Sequence, residues 1–136
     1  MTFHSNYFKK IEDFVCDFVD EVTNDGVLCT KELDTSVVPS RAVRITQGFN
    51  DLSDQGTLQG CSVTVSGLHR KRSDAVNVIG TLHNKIPHAY SDAKDGFAIR
   101  LNWVYSTSPS KLMVGTLSAY IFSVNLRCIF TVKRGN

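Results

Sequence analysis

Apolar side chains near the start of the chain recur every three to four residues. In "SNYFKKIEDFVCDFVDEV" they are Tyr7, Ile11, Phe14, Val15, Phe18, Val19 and Val22, which share one stripe of a helix. Ser5 suits its N-cap. Asn24-Asp25-Gly26 suits its end, Gly26 being free to take a left-handed conformation. The period then changes. "SRAVRITQG" reads as a strand with Val43 and Ile45 on one face. "CSVTVSG" alternates Cys61, Val63 and Val65 inward against Ser62, Thr64 and Ser66 outward. Between these strands "FNDLSDQGTLQG", Phe49 to Gly60, holds neither period and predicts a long polar loop.

A strand-to-helix turn is expected over Gly67 to Arg72, with Ser73 as N-cap and Asp74 at the positive end of the helix dipole. Ala75, Val78, Ile79, Leu82 and Ile86 make the apolar stripe, and Pro87 stops the helix. "PHAYSDAKDG" is a polar connector. "FAIRLNWVY" places Phe97, Ile99, Leu101, Trp103 and Tyr105 on one strand face, and "STSPSKLMVGTLS" reads as a turn or extended connection. The last strand, "AYIFSVNLRCIFTVK", turns Tyr120, Phe122, Val124, Leu126, Cys128, Phe130 and Val132 to one side. The pattern predicts one α+β domain over residues 1–136, a mostly antiparallel sheet packed by two helices in the order α-β-β-α-β-β. Phe14, Phe18, Ile79, Leu82, Leu101, Trp103, Phe122 and Leu126 are its expected core.

Composition changes this picture little. A chain of 136 residues, 42% hydrophobic and 21% charged, can bury a core without disulfides or metals. Net charge is +2, so binding to a polyanion would need a local patch. The one candidate is "HRKR", where Arg70, Lys71 and Arg72 offer contact with DNA or an acidic partner. A solvated turn is the simpler reading. Cys16, Cys29, Cys61 and Cys128 form no CxxC pair, and buried reduced thiols made in a reducing cytoplasm are expected. The N-terminus resembles no signal or transit peptide, and no apolar run approaches the ~20 residues of a membrane span. A soluble protein without membrane contact is expected.

Chemistry-bearing motifs are sparse. His83 and His88 fit no HExxH pattern, His4 and His69 have no ligand-spaced neighbours, and "DLSDQG" lacks the spacing and closing Glu of a calcium loop. No GxSxG, Walker or GxGxxG motif occurs. The expectation is no catalytic residue, no metal and no cofactor.

The element order, with "SDAVNVIGTLHNKI", "FAIRLNWVY" and "YIFSVNLRCIFTVK", resembles the tail terminator proteins of long-tailed bacteriophages over nearly the whole chain. The resemblance implies a virion structural protein, made in the host cytoplasm and placed at the head-to-tail junction. It would form a hexameric ring that caps the tail tube, stops its polymerisation and offers the head-joining surface. The implied partners are copies of itself, the tail-tube protein, the head-tail connector protein, and DNA passing through the ring lumen. On this reading the loop residues Phe49, Asn50, Asp51, Leu52, Ser53, Asp54 and Gln55 are candidate partner contacts. Phe49 and Leu52 would be anchors, and Asp51 and Asp54 charge readers. Three other readings stay open. One is a different ring component of the neck. Another is a small α+β enzyme or ligand-binding dimer, which a pocket holding His69, His83 or His88 beside a carboxylate would favour. The last is a nucleic-acid module using Arg70, Lys71 and Arg72, although interleaved aromatics for base stacking are missing.

Overall fold

A computed structural model describes residues 3–53, 58–86, 90–91 and 98–131. Along the chain lie α1 (Phe3–Thr23), β1 (Cys29–Thr30), β2 (Ser40–Asp51), β3 (Leu58–His69) and α2 (Arg72–Lys85). They are followed by β4 (Tyr90–Ser91), β5 (Ile99–Ser106), β6 (Ser110–Val114) and β7 (Leu117–Thr131). The architecture is α+β. Seven strands form one mixed sheet in the order β1-β2-β3-β7-β5-β4, and β6 also pairs with β7. Among the described strands only β1 and β2 run parallel; the other pairings are antiparallel.

Strict alternation explains the two central strands. In β3 Cys61, Val63 and Val65 are buried, and in β7 Phe122, Val124, Leu126, Cys128 and Phe130 are buried. The two pair without a register shift from Leu58↔Thr131 to His69↔Tyr120. Both helices cover this apolar side. Ile11, Val15 and Val19 of α1 join Ala75, Val78 and Leu82 of α2 in a single core cluster with the strand residues. The other side is polar at its middle, while Leu68 and Ala42 are buried on it toward the helix end of β3. Thr64 Oγ1 donates to Asn125 Oδ1 at 2.9 Å, and the Thr46 and Thr64 hydroxyls lie 3.0 Å apart. Of the eight expected core residues, Leu82, Leu101, Phe122 and Leu126 are fully enclosed. Phe14, Phe18, Ile79 and Trp103 are only partly buried and pack at its margin.

The element order departs from the expected one, which had four strands. β1 and β4 are two-residue strands too short to carry a period. β6 came from the stretch read as a connection. It continues along the edge of β7 that β5 occupies, after a break at residues 107–109. Pro109 sits in that break, and a proline cannot donate to a ladder. Thr107 bridges it, its N–H donating to Ser123 O at 2.9 Å while its Oγ1 accepts from Ser123 N–H at 2.9 Å. β5, β6 and β7 thus make one long hairpin, closed at Gly115, whose φ is +63°.

Two caps are also corrected. α1 begins at Phe3, so Ser5 lies inside it. α2 begins at Arg72 with Lys71 as N-cap and no side-chain capping bond, so Ser73 lies inside as well. The physical reason is the reach of β3. Its pairing with β7 carries the strand through His69, leaving only Arg70 and Lys71 between strand and helix. Gly67 is therefore a strand residue rather than the start of a turn. It is the direct partner of Phe122, and a Cβ there would stand 2.4 Å from the Phe122 ring. Glycine is required because the ring lies over its backbone. Gly67→Ala is expected to cost about 1–3 kcal/mol in denaturant unfolding. A variant as stable as the parent would mean that the ring can swing aside.

Candidate functional site

The residues expected to form a long loop lie in three different settings. Phe49, Asn50 and Asp51 are the last residues of β2, with Asn50 opposite Gly60 and Asp51 opposite Gln59. The Phe49 ring packs 4.9 Å from Phe8 and 5.1 Å from Phe130, so it is a contact between α1 and the sheet rather than an exposed anchor. Asp51 accepts a hydrogen bond from Gln59 Nε2. Leu52 and Ser53 begin the real connection. Leu52 N–H donates to Leu58 O at 2.8 Å, Ser53 Oγ accepts from Leu58 N–H at 3.1 Å, and Leu52 is 36% exposed. Asp54 and Gln55 lie outside the described residues. The glycines and polar residues hid the strand ends from a pattern reading. β3 is held in register by β7 on its far side, so β2 pairs on to Asp51 despite register shifts beyond Ile45.

The basic triplet joins β3 to α2. Arg70, Lys71 and Arg72 are exposed, and among the described residues they make no salt bridge. They are not interleaved with aromatics, and Asp74 follows them in the first turn of α2.

Large apolar side chains are exposed in several places among the described residues, with Leu28, Val37 and Val76 near the two helices and four more on the long hairpin. Val104 (54% exposed) and Tyr105 (55%) end β5, while Met113 (61%) and Leu117 (50%) flank the hairpin turn. The hairpin runs on beyond the end of β3. The last β3–β7 pair is His69↔Tyr120, and residues 117–119 of β7 pair only with β6. Both lateral edges are largely open among the described strands. β4 pairs with β5 only at Ile99 and Arg100, and β1 pairs with β2 only at Arg41 and Ala42. Glu12 of α1 accepts from Ile45 N–H at 2.9 Å, filling one donor of the β2 edge.

A second feature escaped the sequence reading. Arg41, at the start of β2, is 0% exposed. Its guanidinium grips both carboxylate oxygens of Asp25, donates to Thr23 Oγ1 at 3.1 Å and reaches Val27 O at 3.3 Å. This bidentate bond holds the Asp25 carboxyl below the usual carboxylate range, against the opposing effect of burial. Beside it opens a cleft of about 390 Å³ between the end of α1 and the first turns of α2. His69, Asp25 and Asp74 give it polar lining, and Val27, Pro39 and Val78 give it apolar lining. His69 is 5% exposed, stacked 5.9 Å from Phe122, with its Nε2 buried and unpartnered. Burial, then the Arg41 charge, lowers its pKa, while Asp25 and Asp74 pull the other way. The other histidines do not join it. His83 stands edge-on to Trp103 at 4.7 Å, His88 lies outside the described residues, and the His4 side chain is likewise not described.

All four cysteines are free thiols, with Cys16, Cys61 and Cys128 buried. Cys61 and Cys128 are cross-strand partners, and the contact with Cys61 together with burial pushes the Cys128 thiol pKa up. Among the described residues no cluster of three His, Cys, Asp or Glu could hold a metal ion, and no helix is long and apolar enough to cross a membrane. No family model matches the chain, and no curated protein is similar to it in sequence.

Proposed function

We propose that this protein is a tail terminator of a long-tailed bacteriophage, a virion structural subunit whose ring caps the tail tube, stops its polymerisation and offers the head-joining surface. The observation that carries this reading is the projecting β5–β6–β7 hairpin. Its three strands leave Val104, Tyr105, Met113 and Leu117 exposed, and among the described strands β6 pairs only with β7, so its outer edge is open. Head-to-tail contact between one such edge and a different surface of the next copy is heterologous, and closes into a ring when the rotation divides a full turn. The hairpin is built for contact rather than chemistry, and it supports assembly with copies of the chain, the tail-tube protein and the connector. The same surface would serve a different neck ring, and the partner bound separates the two: a terminator binds tube ends.

Electron microscopy of the protein, alone and with tail-tube subunits, tests the reading. Rings and tubes of limited length are expected. Monomers beside uncapped tubes of unlimited length would overturn it. Converting Met113 and Leu117 together to Glu should leave unfolding stability within about 0.5 kcal/mol, because both are exposed. It should abolish the rings. Intact rings would remove the hairpin from the interface. A second reading, a small ligand-binding or catalytic protein, is favoured by one observation: His69 lies in a cleft with the carboxylates of Asp25 and Asp74.

A further inference from the structure

We infer that the sheet face turned away from the helices binds the phosphate backbone of a single-stranded nucleic acid. Both helices pack on the opposite face and leave the middle of this one open. Directly paired residues turn to the same face, so the ladders place three arginines on it. Arg44 is opposite Thr64 and, through it, in the row of Asn125; Arg127 is opposite Ser62 and Asn102; Arg100 is opposite Ile129. Their rows fall at residues 125, 127 and 129 of β7, and the arginines themselves sit on β2, β7 and β5. They make a diagonal stripe roughly 20 Å long at ordinary strand spacings. No aspartate or glutamate occupies a described strand position of this face. Among the described residues none of the three guanidinium groups makes a salt bridge or a hydrogen bond. In a chain of net charge +2, this is the local patch that contact with a polyanion requires.

The groups beside the arginines select the kind of polyanion. Asn125 accepts from Thr64 Oγ1 through its amide oxygen, which leaves its amide N–H groups for a ligand. Asn102 adds a second amide next to Arg127. Gly60 lets the Arg127 side chain lie along the sheet, because a Cβ there would stand 3.1 Å from Arg127 Nη2. Past the register shift in β5, Tyr105 is opposite Asn125 and 55% exposed, so an aromatic ring borders the stripe. Arginines meet phosphates, and an exposed ring stacks on an unpaired base. Carboxylates of an acidic protein would answer the arginines but offer the ring nothing flat, and a duplex keeps its bases stacked inside. A single strand uses both features. The inference stands apart from the ring reading, because it uses the sheet face and not Met113 and Leu117 at the hairpin turn.

Fluorescence anisotropy with a labelled oligothymidylate of about 15 nucleotides tests the site. A dissociation constant of about 10⁻⁵ M at low salt is expected, with log affinity falling against log salt at a slope of about −2, the value for three phosphate contacts on a single strand. Arg44→Gln, Arg100→Gln and Arg127→Gln together should weaken binding at least roughly tenfold and remove most of that slope. Arg127 is half-buried, so the exposed pair Arg44→Gln and Arg100→Gln is the second variant, and it should lower the slope by about 1.4. Changing Arg70, Lys71 and Arg72 to Gln should leave the slope in place. Tyr105→Ala should weaken the single strand roughly fivefold. Met113→Glu with Leu117→Glu should bind as the parent does, so a failed ring and a failed sheet site are read separately. No binding, equal or tighter binding of a duplex of the same length or of poly-glutamate, or a slope that survives both sheet variants would overturn the inference.

Discussion

Replacing Phe122 with alanine is expected to lower the unfolding free energy by about 3–5 kcal/mol, the range for removing an enclosed aromatic side chain. Phe122 is 1% exposed on the central strand, where it belongs to the cluster that joins both helices to the sheet. Its ring also covers Gly67 and stacks on His69. Neither neighbour can collapse into the space left behind, because one has no side chain and the other is held at a strand end. Denaturant unfolding measures the loss. A cost under about 1 kcal/mol would mean that the site refills. The coupling with Gly67 sharpens the test. The strain of Gly67→Ala comes from the Phe122 ring, so that change should cost much less when made in Phe122→Ala. Additive effects would place the strain elsewhere.

The second large effect is expected at Asp25. Arg41 is fully enclosed, and its charge is answered by the Asp25 carboxylate. Asp25→Ala leaves that cation buried with only Thr23 Oγ1 and the Val27 carbonyl as partners. Breaking a buried pair from one side costs roughly 3–5 kcal/mol; about 3 is expected, because the Asp25 side chain is itself 39% exposed and solvent screens the pair. Replacing Arg41 and Asp25 together with apolar residues should recover part of that loss. A single mutant at wild-type stability would show that water reaches Arg41.

The sign of the pH dependence follows from the lowered Asp25 pKa. In the folded state the carboxyl sits below its ordinary value of 3.8, so near that pH the unfolded chain binds more protons. The stabilisation is complete above the unfolded value and is lost as pH falls through the folded one. His69 acts at higher pH in the same direction. Its pKa is lowered from 6.5 with Arg41, Asp25 and Asp74 around it, so its contribution is present above 6.5 and falls away in mild acid. The stability gap between wild type and Asp25→Asn should therefore hold from pH 7 to about 5 and narrow below 4. A gap that widens in acid would reverse the assignment.

Where one period governed a whole element, the sequence was sufficient. The stripe of α1, the alternation of β3 and β7, and the left-handed Gly26 just beyond α1 all follow from spacing and local backbone preference. Such features depend on which face a residue turns to the core, and that is set by 3.6 or 2 residues per repeat. An α+β domain with a mostly antiparallel sheet could be read from them alone. The exposure of the basic triplet was equally legible, because three consecutive cations are rarely buried, although Arg72 belongs to α2 rather than to the turn.

The tertiary structure decided everything that depends on a neighbour distant in sequence. Phe49–Asp51 became strand because β3, fixed by β7, offered them an edge, which outweighed the nearby glycines. β6 formed because β7 runs on past its last β5 pair, Ser106↔Val124, so residues with no alternation of their own found a ladder. Gly67 looked like turn punctuation, and only the Phe122 ring above it explains it. Arg41 drew no reading from the sequence, and its burial depends on Asp25, 16 residues away, arriving in bidentate geometry. The His69 cleft has the same origin. Its walls come from the end of one helix, the start of another and a strand terminus, and no local pattern records their meeting because packing alone brings them together.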